Sequence, residues 1–114
     1  MTSQDLLLKA FKGLYPQRQV PSMSITFSRR FSSYNANVKM SSYKKVLDFG
    51  VSHLFQDCDE DIIVGLIQHL LNKIYKTDIQ TIEQEYYESF LKHISKYGQK
   101  NEESDPELIT LFNE

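Results

Sequence analysis

The chain has 114 residues, of which 40% are hydrophobic and 25% are charged, and its formal net charge is -2. This length fits one domain with a small core, and no apolar run approaches the roughly 18 residues that cross a membrane, so we expect no membrane segment. Cys58 is the only cysteine, which excludes an intramolecular disulfide and favours a reducing cytoplasm.

The charges are unevenly distributed along the chain. Residues 1–50 hold eight basic and two acidic side chains, whereas residues 51–114 hold five basic and thirteen acidic ones, so the halves carry +6 and -8. Such segregation produces either a bipolar surface or two halves that neutralise each other on folding.

The N-terminal segment predicts a helix followed by strands. Ser3 is a candidate N-cap, and apolar residues follow it at helical spacing until the region of Gly13 to Pro16. From Met23 the apolar residues alternate with serine and threonine, which indicates a half-buried strand. Residues 36–40 and 45–52 predict two further strands, and three short strands in succession favour an antiparallel meander.

The most strongly periodic segment is Asp59–Lys76, which predicts a long core helix. Acidic residues lie at its start, lysines lie at its end, and its apolar arc covers somewhat over half of the helix circumference. Asp57 or Asp59 can cap this helix. Its polar arc includes Gln68, His69 and Asn72.

A second long amphipathic helix is predicted at about residues 79–97. Thr77 or Asp78 can begin it and Gly98 can end it. Its apolar stripe comprises Ile79, Ile82, Tyr86, Phe90, Ile94 and Tyr97. We therefore predict an α+β fold with one domain at residues 1–98, ordered helix, three strands, helix, helix. Residues 99–114 form a polar linker and a short C-terminal segment, whose abrupt end is typical of a piece of a longer protein.

Three stretches together resemble the SprT-like and related minimal zinc metallopeptidases. They are Ile25–Arg30 (ITFSRR), Val46–Phe49 (VLDF), and Asp59-Glu60 leading into residues 63–73. The resemblance covers roughly residues 3–97 and implies a zincin-like fold. In that family the motif helix carries two zinc-binding histidines four residues apart, with a glutamate between them that activates water.

The chain departs from this pattern at each catalytic position. Gln68 and Asn72 stand where the resemblance implies histidines, and His69 stands where it implies glutamate. Because Gln and Asn are poor zinc ligands, we expect no metal, no cofactor and no hydrolysis by that mechanism. Two interpretations remain open: a degenerate metallopeptidase scaffold, or an ordinary solvated helix face.

Other candidate chemistry is weaker. His53, His69 and His93 lie in three segments without the paired spacing of a zinc site. Cys58 lies near a helix start, which lowers a thiol pKa, but the flanking Asp57 and Asp59 act in the opposite direction.

A basic segment interleaved with aromatic residues predicts nucleic-acid binding. Cations contact backbone phosphates and unpaired bases stack on aromatic rings. The candidate residues are Arg29, Arg30, Lys39, Tyr43, Lys44 and Lys45. SprT-like proteins often act at DNA, so the resemblance favours the same function. The predicted function is thus non-catalytic binding of DNA or RNA. The alternatives are an accessory or protein-protein interaction domain, and a hydrophilic sheet whose lysines protect its edges.

Overall fold

The computed structural model describes residues 2–41, 43 and 45–96. Within these residues, three helices, three strands and one 3-10 helix follow in the order α1 (Ser3–Leu14), β1 (Ser22–Ser28), β2 (Ala36–Ser41), β3 (Val46–Ser52), the 3-10 helix (His53–Asp57), α2 (Glu60–Tyr75) and α3 (Ile82–Lys96). The α+β class and the predicted order of elements are confirmed. Gly98 and the predicted C-terminal segment at 99–114 lie outside the described residues. Among the described helices, none is long and apolar enough to span a membrane.

Helix α1 begins with a capping box one residue earlier than predicted. Thr2, not Ser3, is the N-cap, because its hydroxyl accepts a hydrogen bond from the Asp5 amide at 3.1 Å. The Asp5 carboxylate in turn accepts from the Thr2 amide at 3.2 Å, so two amides at the helix start are satisfied reciprocally. The buried side of α1 consists of Leu6, Leu7, Ala10, Phe11 and Leu14.

The sheet is mixed, and the predicted antiparallel meander is wrong in its strand pairing. The order is β1-β3-β2, with β3 parallel to β1 and antiparallel to β2. Residues 29–35 therefore lead from β1 to the opposite edge of the sheet, and β3 returns into the middle. The physical reason is burial: Leu47, Phe49 and Val51 of β3 are at most 1% exposed, so this strand takes the most enclosed position.

One face of the sheet packs into a continuous core with the helices. Inward-facing strand residues join the apolar residues of α1 and α2 in a single cluster. The wide apolar arc predicted for α2 is confirmed, because seven of its apolar side chains are buried: Ile63, Val64, Leu66, Ile67, Leu70, Leu71 and Ile74. Asp59 occupies the N-cap position of α2, but its side chain makes no capping hydrogen bond.

Helices α2 and α3 approach closely at Gly65. A Cβ at this position would lie 2.1 Å from the Glu83 carbonyl oxygen and 2.9 Å from the Tyr87 Cβ, so a larger residue does not fit. This contact turns Tyr87 into the core, where it is 1% exposed.

Helix α3 consequently differs from the prediction in its start and in its buried side. It begins at Ile82, after Thr81, whose hydroxyl accepts a hydrogen bond from the Gln84 amide at 3.2 Å. Thr77 and Asp78 precede the helix by several residues. Part of the predicted apolar stripe is exposed, with Ile79 at 37%, Ile82 at 53% and Tyr86 at 47%, and Tyr97 lies outside the described residues.

The other face of the sheet is turned to solvent. We call it the open sheet face, and it alternates along each strand with the residues of the core. Most of its side chains are small and polar, and all but Asn37 are exposed or half-buried. It comprises Ser22, Ser24 and Thr26 of β1, Val46, Asp48 and Gly50 of β3, and Asn37, Lys39 and Ser41 of β2.

Candidate functional site

Gln68, the first of the candidate motif positions on α2, is buried between three helices. It is 1% exposed, so the interpretation of a solvated helix face is wrong for this residue. Its side-chain nitrogen donates to the Ala10 carbonyl of α1 at 3.2 Å, and its oxygen accepts from the Thr81 hydroxyl at 2.5 Å. Glycine at position 13 leaves room for this amide, because a Cβ there would lie 2.6 Å from Gln68 Nε2.

Asn72 lies one turn further on the same side of α2. Its side-chain nitrogen donates to the Ile79 carbonyl at 2.9 Å and to Gln84 Oε1 at 3.1 Å. Its oxygen accepts from the Thr77 hydroxyl at 2.7 Å and from the Ile79 amide at 3.2 Å. The four hydrogen bonds use both donors and both acceptor sites of the amide.

Gln84 of α3 completes this arrangement, and sequence reasoning missed it. Its side-chain nitrogen donates to the Ile79 carbonyl at 2.7 Å and contacts the Thr81 hydroxyl at 3.2 Å. The available signal was Thr81-Ile82-Glu83-Gln84, which matches the Thr-x-x-Gln pattern of a capping box. We call Gln68, Asn72, Thr77, Thr81 and Gln84 the amide network.

The amide network is neutral and internally satisfied. Its hydrogen bonds fix the connection between α2 and α3 and link α2 to α1, so the network has a structural role. A metal ion would require these amides to give up their hydrogen bonds for weak ligation, so the residues present do not fit zinc.

The histidines are dispersed in the structure. His69 is half-buried with its ring centroid 5.6 Å from that of Tyr87, and His93 is exposed on α3. His53 Nδ1 lies 3.3 Å from the Ser28 carbonyl oxygen, which orients the imidazole. The described part of the chain contains no group of three or more His, Cys, Asp or Glu side chains arranged to hold a metal ion.

Cys58 lies half-buried between the 3-10 helix and α2. Burial, with Asp59 and then Asp57 adding to it, raises the pKa of its thiol to about 11. The thiol therefore stays protonated at neutral pH, as the flanking aspartates led us to expect, and its environment opposes a nucleophilic role.

The predicted nucleic-acid residues are divided between the two ends of the open sheet face. Arg29 and Arg30 are exposed in the turn after β1, and the Arg30 guanidinium lies over the Phe31 ring at 4.7 Å from its centroid. Arg30 Nη2 would be 3.5 Å from a Cβ on Gly50, which places it above this face.

The remaining basic and aromatic candidates lie in β2 and in the turn between β2 and β3. Lys39 projects from β2 directly opposite Asp48. Tyr43 is 84% exposed in the β2–β3 turn and Lys45 is exposed beside it, whereas Lys44 lies outside the described residues. Four residues of strand separate the Gly50 row from the Val46 row, which corresponds to about 13 Å. The structure thus spreads these side chains along the length of the sheet instead of gathering them in one compact cluster.

Arg18 is a basic residue away from the open sheet face that contacts two aromatic rings. The Arg18 guanidinium lies between the Tyr15 and Tyr75 rings, at 4.8 Å from each centroid. Tyr15 also lies with its hydroxyl 2.5 Å from that of Thr77. Arg18 therefore helps to fix the end of α2, and nothing in the residue pattern beyond residue type indicated this pairing.

The fold and the site define a small α+β domain with a three-stranded mixed sheet, one open sheet face and a buried amide network. Comparisons of the chain with protein-family models, with curated proteins and with solved structures gave no match.

Proposed function

We propose that this domain is a non-catalytic binding module that contacts nucleic acid through the open sheet face, in the reducing cytoplasm. The observation that carries the proposal is a set of exposed side chains spread along the sheet, with Arg30 at one end, Lys39 in β2, and Tyr43 and Lys45 in the turn at the other end. Cations along such a surface neutralise backbone phosphates.

The surroundings of these cations support the same function. Serine and threonine side chains between them can donate hydrogen bonds to phosphate and sugar oxygens, and their small size lets a backbone approach the sheet. Tyr43 is 84% exposed, so its ring is available for stacking with an unpaired base. Single-stranded nucleic acid is therefore the preferred substrate class.

Asp48 limits the affinity of this surface. Its carboxylate accepts a hydrogen bond from the Ser24 hydroxyl at 2.5 Å and lies opposite Lys39, so it offsets one positive charge in the middle of the sheet. We expect weak binding that depends strongly on salt, with the dominant contacts at the two ends of the face.

The experiment is a fluorescence anisotropy titration with labelled single-stranded DNA, single-stranded RNA and duplex DNA at several salt concentrations. The test variant replaces Arg29, Arg30, Lys44 and Lys45 by alanine. A matched control removes four helix lysines, namely Lys9, Lys12, Lys73 and Lys92. The test variant should lose binding and flatten the salt dependence, by about 0.7 in the logarithmic slope for each lost phosphate contact on a single strand. Absence of binding at low salt, or equal loss in both variants, contradicts the proposal.

We also propose that the scaffold is a degenerate relative of the SprT-like metallopeptidases. The support is that Gln68 and Asn72 lie on one side of α2, and that Gln84 contacts Asn72 from α3. A catalytic zinc site takes three protein ligands, and three amides converge here. The sequence resemblance and this geometry both support the relationship, whether or not the domain binds nucleic acid.

Replacing Gln68, Asn72 and Gln84 together by histidine tests this relationship. We expect the triple variant to bind one Co²⁺ or Zn²⁺ per chain, read from cobalt absorption and from equilibrium dialysis. The control is Lys73→His, which pairs a histidine at an exposed position with half-buried His69 at the same four-residue spacing. Circular dichroism verifies folding of both variants. A folded triple variant that binds no more metal than the control would contradict the relationship.

A protein partner is the second candidate, and the exposed apolar residues Ile79, Ile82 and Tyr86 favour it. They lie next to Glu83 and Glu85, so the matching surface would present apolar and basic side chains. A photocrosslinking amino acid at position 82 should give a discrete protein adduct in cells, and the same residue at position 88 should not. Failure to bind nucleic acid together with a specific adduct at position 82 would favour this candidate.

A further inference from the structure

A cleft of about 440 Å³ lies where four segments meet, away from the amide network. Tyr34 from the β1–β2 connection and Phe90 from α3 form its aromatic side. Leu54 from the 3-10 helix and Ile62 from the first turn of α2 add apolar surface.

The aromatic side of the cleft is held in place by the core. The Tyr34 ring packs edge-to-face against Phe90 at 5.3 Å and against Phe55 at 5.1 Å between centroids. Phe55 is fully buried, so it anchors both rings. The cleft therefore offers a supported aromatic surface instead of mobile side chains.

The His53 imidazole and the Cys58 thiol also line the cleft, and so do two carboxylates, those of Asp57 and Asp59. Neither side chain makes a hydrogen bond or an ion pair with another described residue, and Asp59 does not use its carboxylate to cap α2. The cleft lining includes no lysine or arginine among the described residues. The two charges are thus available to a ligand.

The titration of neighbouring groups agrees with a negative field in the cleft. Burial is the main cause that raises the pKa of Tyr34, and Asp57 is among the charges that add to it. Asp59 and Asp57 also add to the effect of burial on Cys58. A cation in the cleft would relieve this field, whereas an anion would be repelled.

We propose that this cleft binds an organic cation, namely a primary ammonium or guanidinium group on an apolar stem. Aromatic rings attract such cations and also accommodate their methylene stems, while the carboxylates accept their hydrogen bonds. A neutral apolar ligand would use the rings but would desolvate the carboxylates without compensation. The source is either a small free amine or a Lys or Arg side chain of a partner protein.

The test is an NMR titration of the full chain with n-butylammonium chloride, following the amides of Leu54, Cys58 and Ile62. The neutral isostere n-butanol is titrated in parallel, and the tripeptide acetyl-Gly-Lys-Gly-amide represents a protein source. We expect saturable shifts with the amine and with the peptide, and weaker or no saturation with the alcohol. Tighter binding of the peptide than of the amine would assign the source to a protein.

Charge-neutral variants locate the binding. Asp57→Asn and Asp59→Asn should each weaken amine binding about two- to fivefold, the range of an exposed ion pair. Phe90→Leu should also weaken amine binding by about two- to fivefold, because the cation–π contact is lost. Asp78→Asn, which removes one exposed charge from the α2–α3 connection, should leave binding unchanged.

The following outcomes would overturn the proposal. They are the absence of saturable shifts at the cleft, equal binding of the alcohol and the amine, and an equal loss in Asp78→Asn. Thermal unfolding of each variant shows whether it is folded, and amine binding by the folded Asp57→Asn and Asp59→Asn variants at wild-type affinity would also contradict it.

Discussion

The two polar regions along helix α2 differ in how their hydrogen-bonding capacity is used. The amide network in its second half pairs its donors and acceptors internally, with Asn72 alone making four hydrogen bonds. At the beginning of the helix, the carboxylates of Asp57 and Asp59 make no such bonds with described residues. Polar groups of the first kind hold helices together, and groups of the second kind are available for ligands. Substitutions should therefore affect stability in the first region and binding in the second.

The largest expected effect on the network side comes from Gly65→Ala, which separates α2 from α3. The added Cβ would meet the Glu83 carbonyl oxygen at 2.1 Å, so the helices must move apart. We expect a loss of about 3 kcal/mol in the free energy of unfolding, at the upper end for overpacking. Urea denaturation measures it, and a loss below half of this value would show that the helix contact adjusts easily.

Gln68→Leu keeps the side-chain size but removes both hydrogen bonds of a buried amide. The Thr81 hydroxyl and the Ala10 carbonyl would lose a partner, which costs about 1–3 kcal/mol in unfolding free energy. Chemical denaturation of Gln68→Leu beside Gln68→Glu distinguishes lost bonds from a buried charge. A neutral effect of the leucine variant would mean that the network contributes little to stability.

Asn72→Ala should destabilise by about 1–2 kcal/mol, since the site is half-buried and water can replace part of the lost bonding. Its effect should be non-additive with Gln84→Ala, because the two amides contact each other at 3.1 Å. A double-mutant cycle from urea midpoints measures this coupling. Strict additivity would contradict a shared network.

The thiol of Cys58 reports the field in the cleft. Because its pKa is raised to about 11, its alkylation rate should still increase with pH above 9, where an ordinary thiol is already largely ionised. Asp57→Asn and Asp59→Asn should each move the profile to lower pH, and the urea-unfolded chain provides the reference. The raised pKa also makes stability depend on pH. As pH rises, the Cys58 thiol ionises in the unfolded chain before it ionises in the folded chain, so stability falls between the unfolded pKa and about 11.

The smallest expected effect concerns the open sheet face. Asp48→Asn retains an acceptor for the Ser24 hydroxyl but removes the charge opposite Lys39. If the proposed function is correct, nucleic-acid affinity rises about two- to fivefold with little change in stability. Anisotropy titration measures it, and unchanged affinity would place the contact surface elsewhere.

Residue periodicity in the sequence predicts the elements of this fold but not their partners. The alternation at Met23–Phe27 and the arc of α2 follow from local geometry, so they could be predicted. The order of strands depends on which strand lies between the other two. The only sequence signal that this central strand is β3 was the apolar content of residues 46–51. The buried side of α3 depends on the close approach at Gly65, which periodicity does not contain.

The candidate sites show the same limit. Gln68 and Asn72 were recognised as unusual residues on one helix, but Gln84, which contacts Asn72, belongs to another helix. The cleft brings together Tyr34, Leu54, Ile62 and Phe90, which come from four segments of the chain. Such a site has no sequence pattern, because it exists only when four segments are folded.

The position of β3 in the sheet also determines when the sheet can form. Its pairing with β2 closes across four residues, 42–45, whereas its pairing with β1 closes across residues 29–45. Pairing β2 with β3 costs less loop-closure entropy than pairing β1 with β3, so we expect the β2–β3 hairpin to form first. During synthesis, β1 leaves the ribosome well before its only strand partner among the described residues, so its edge stays unpaired until β3 follows.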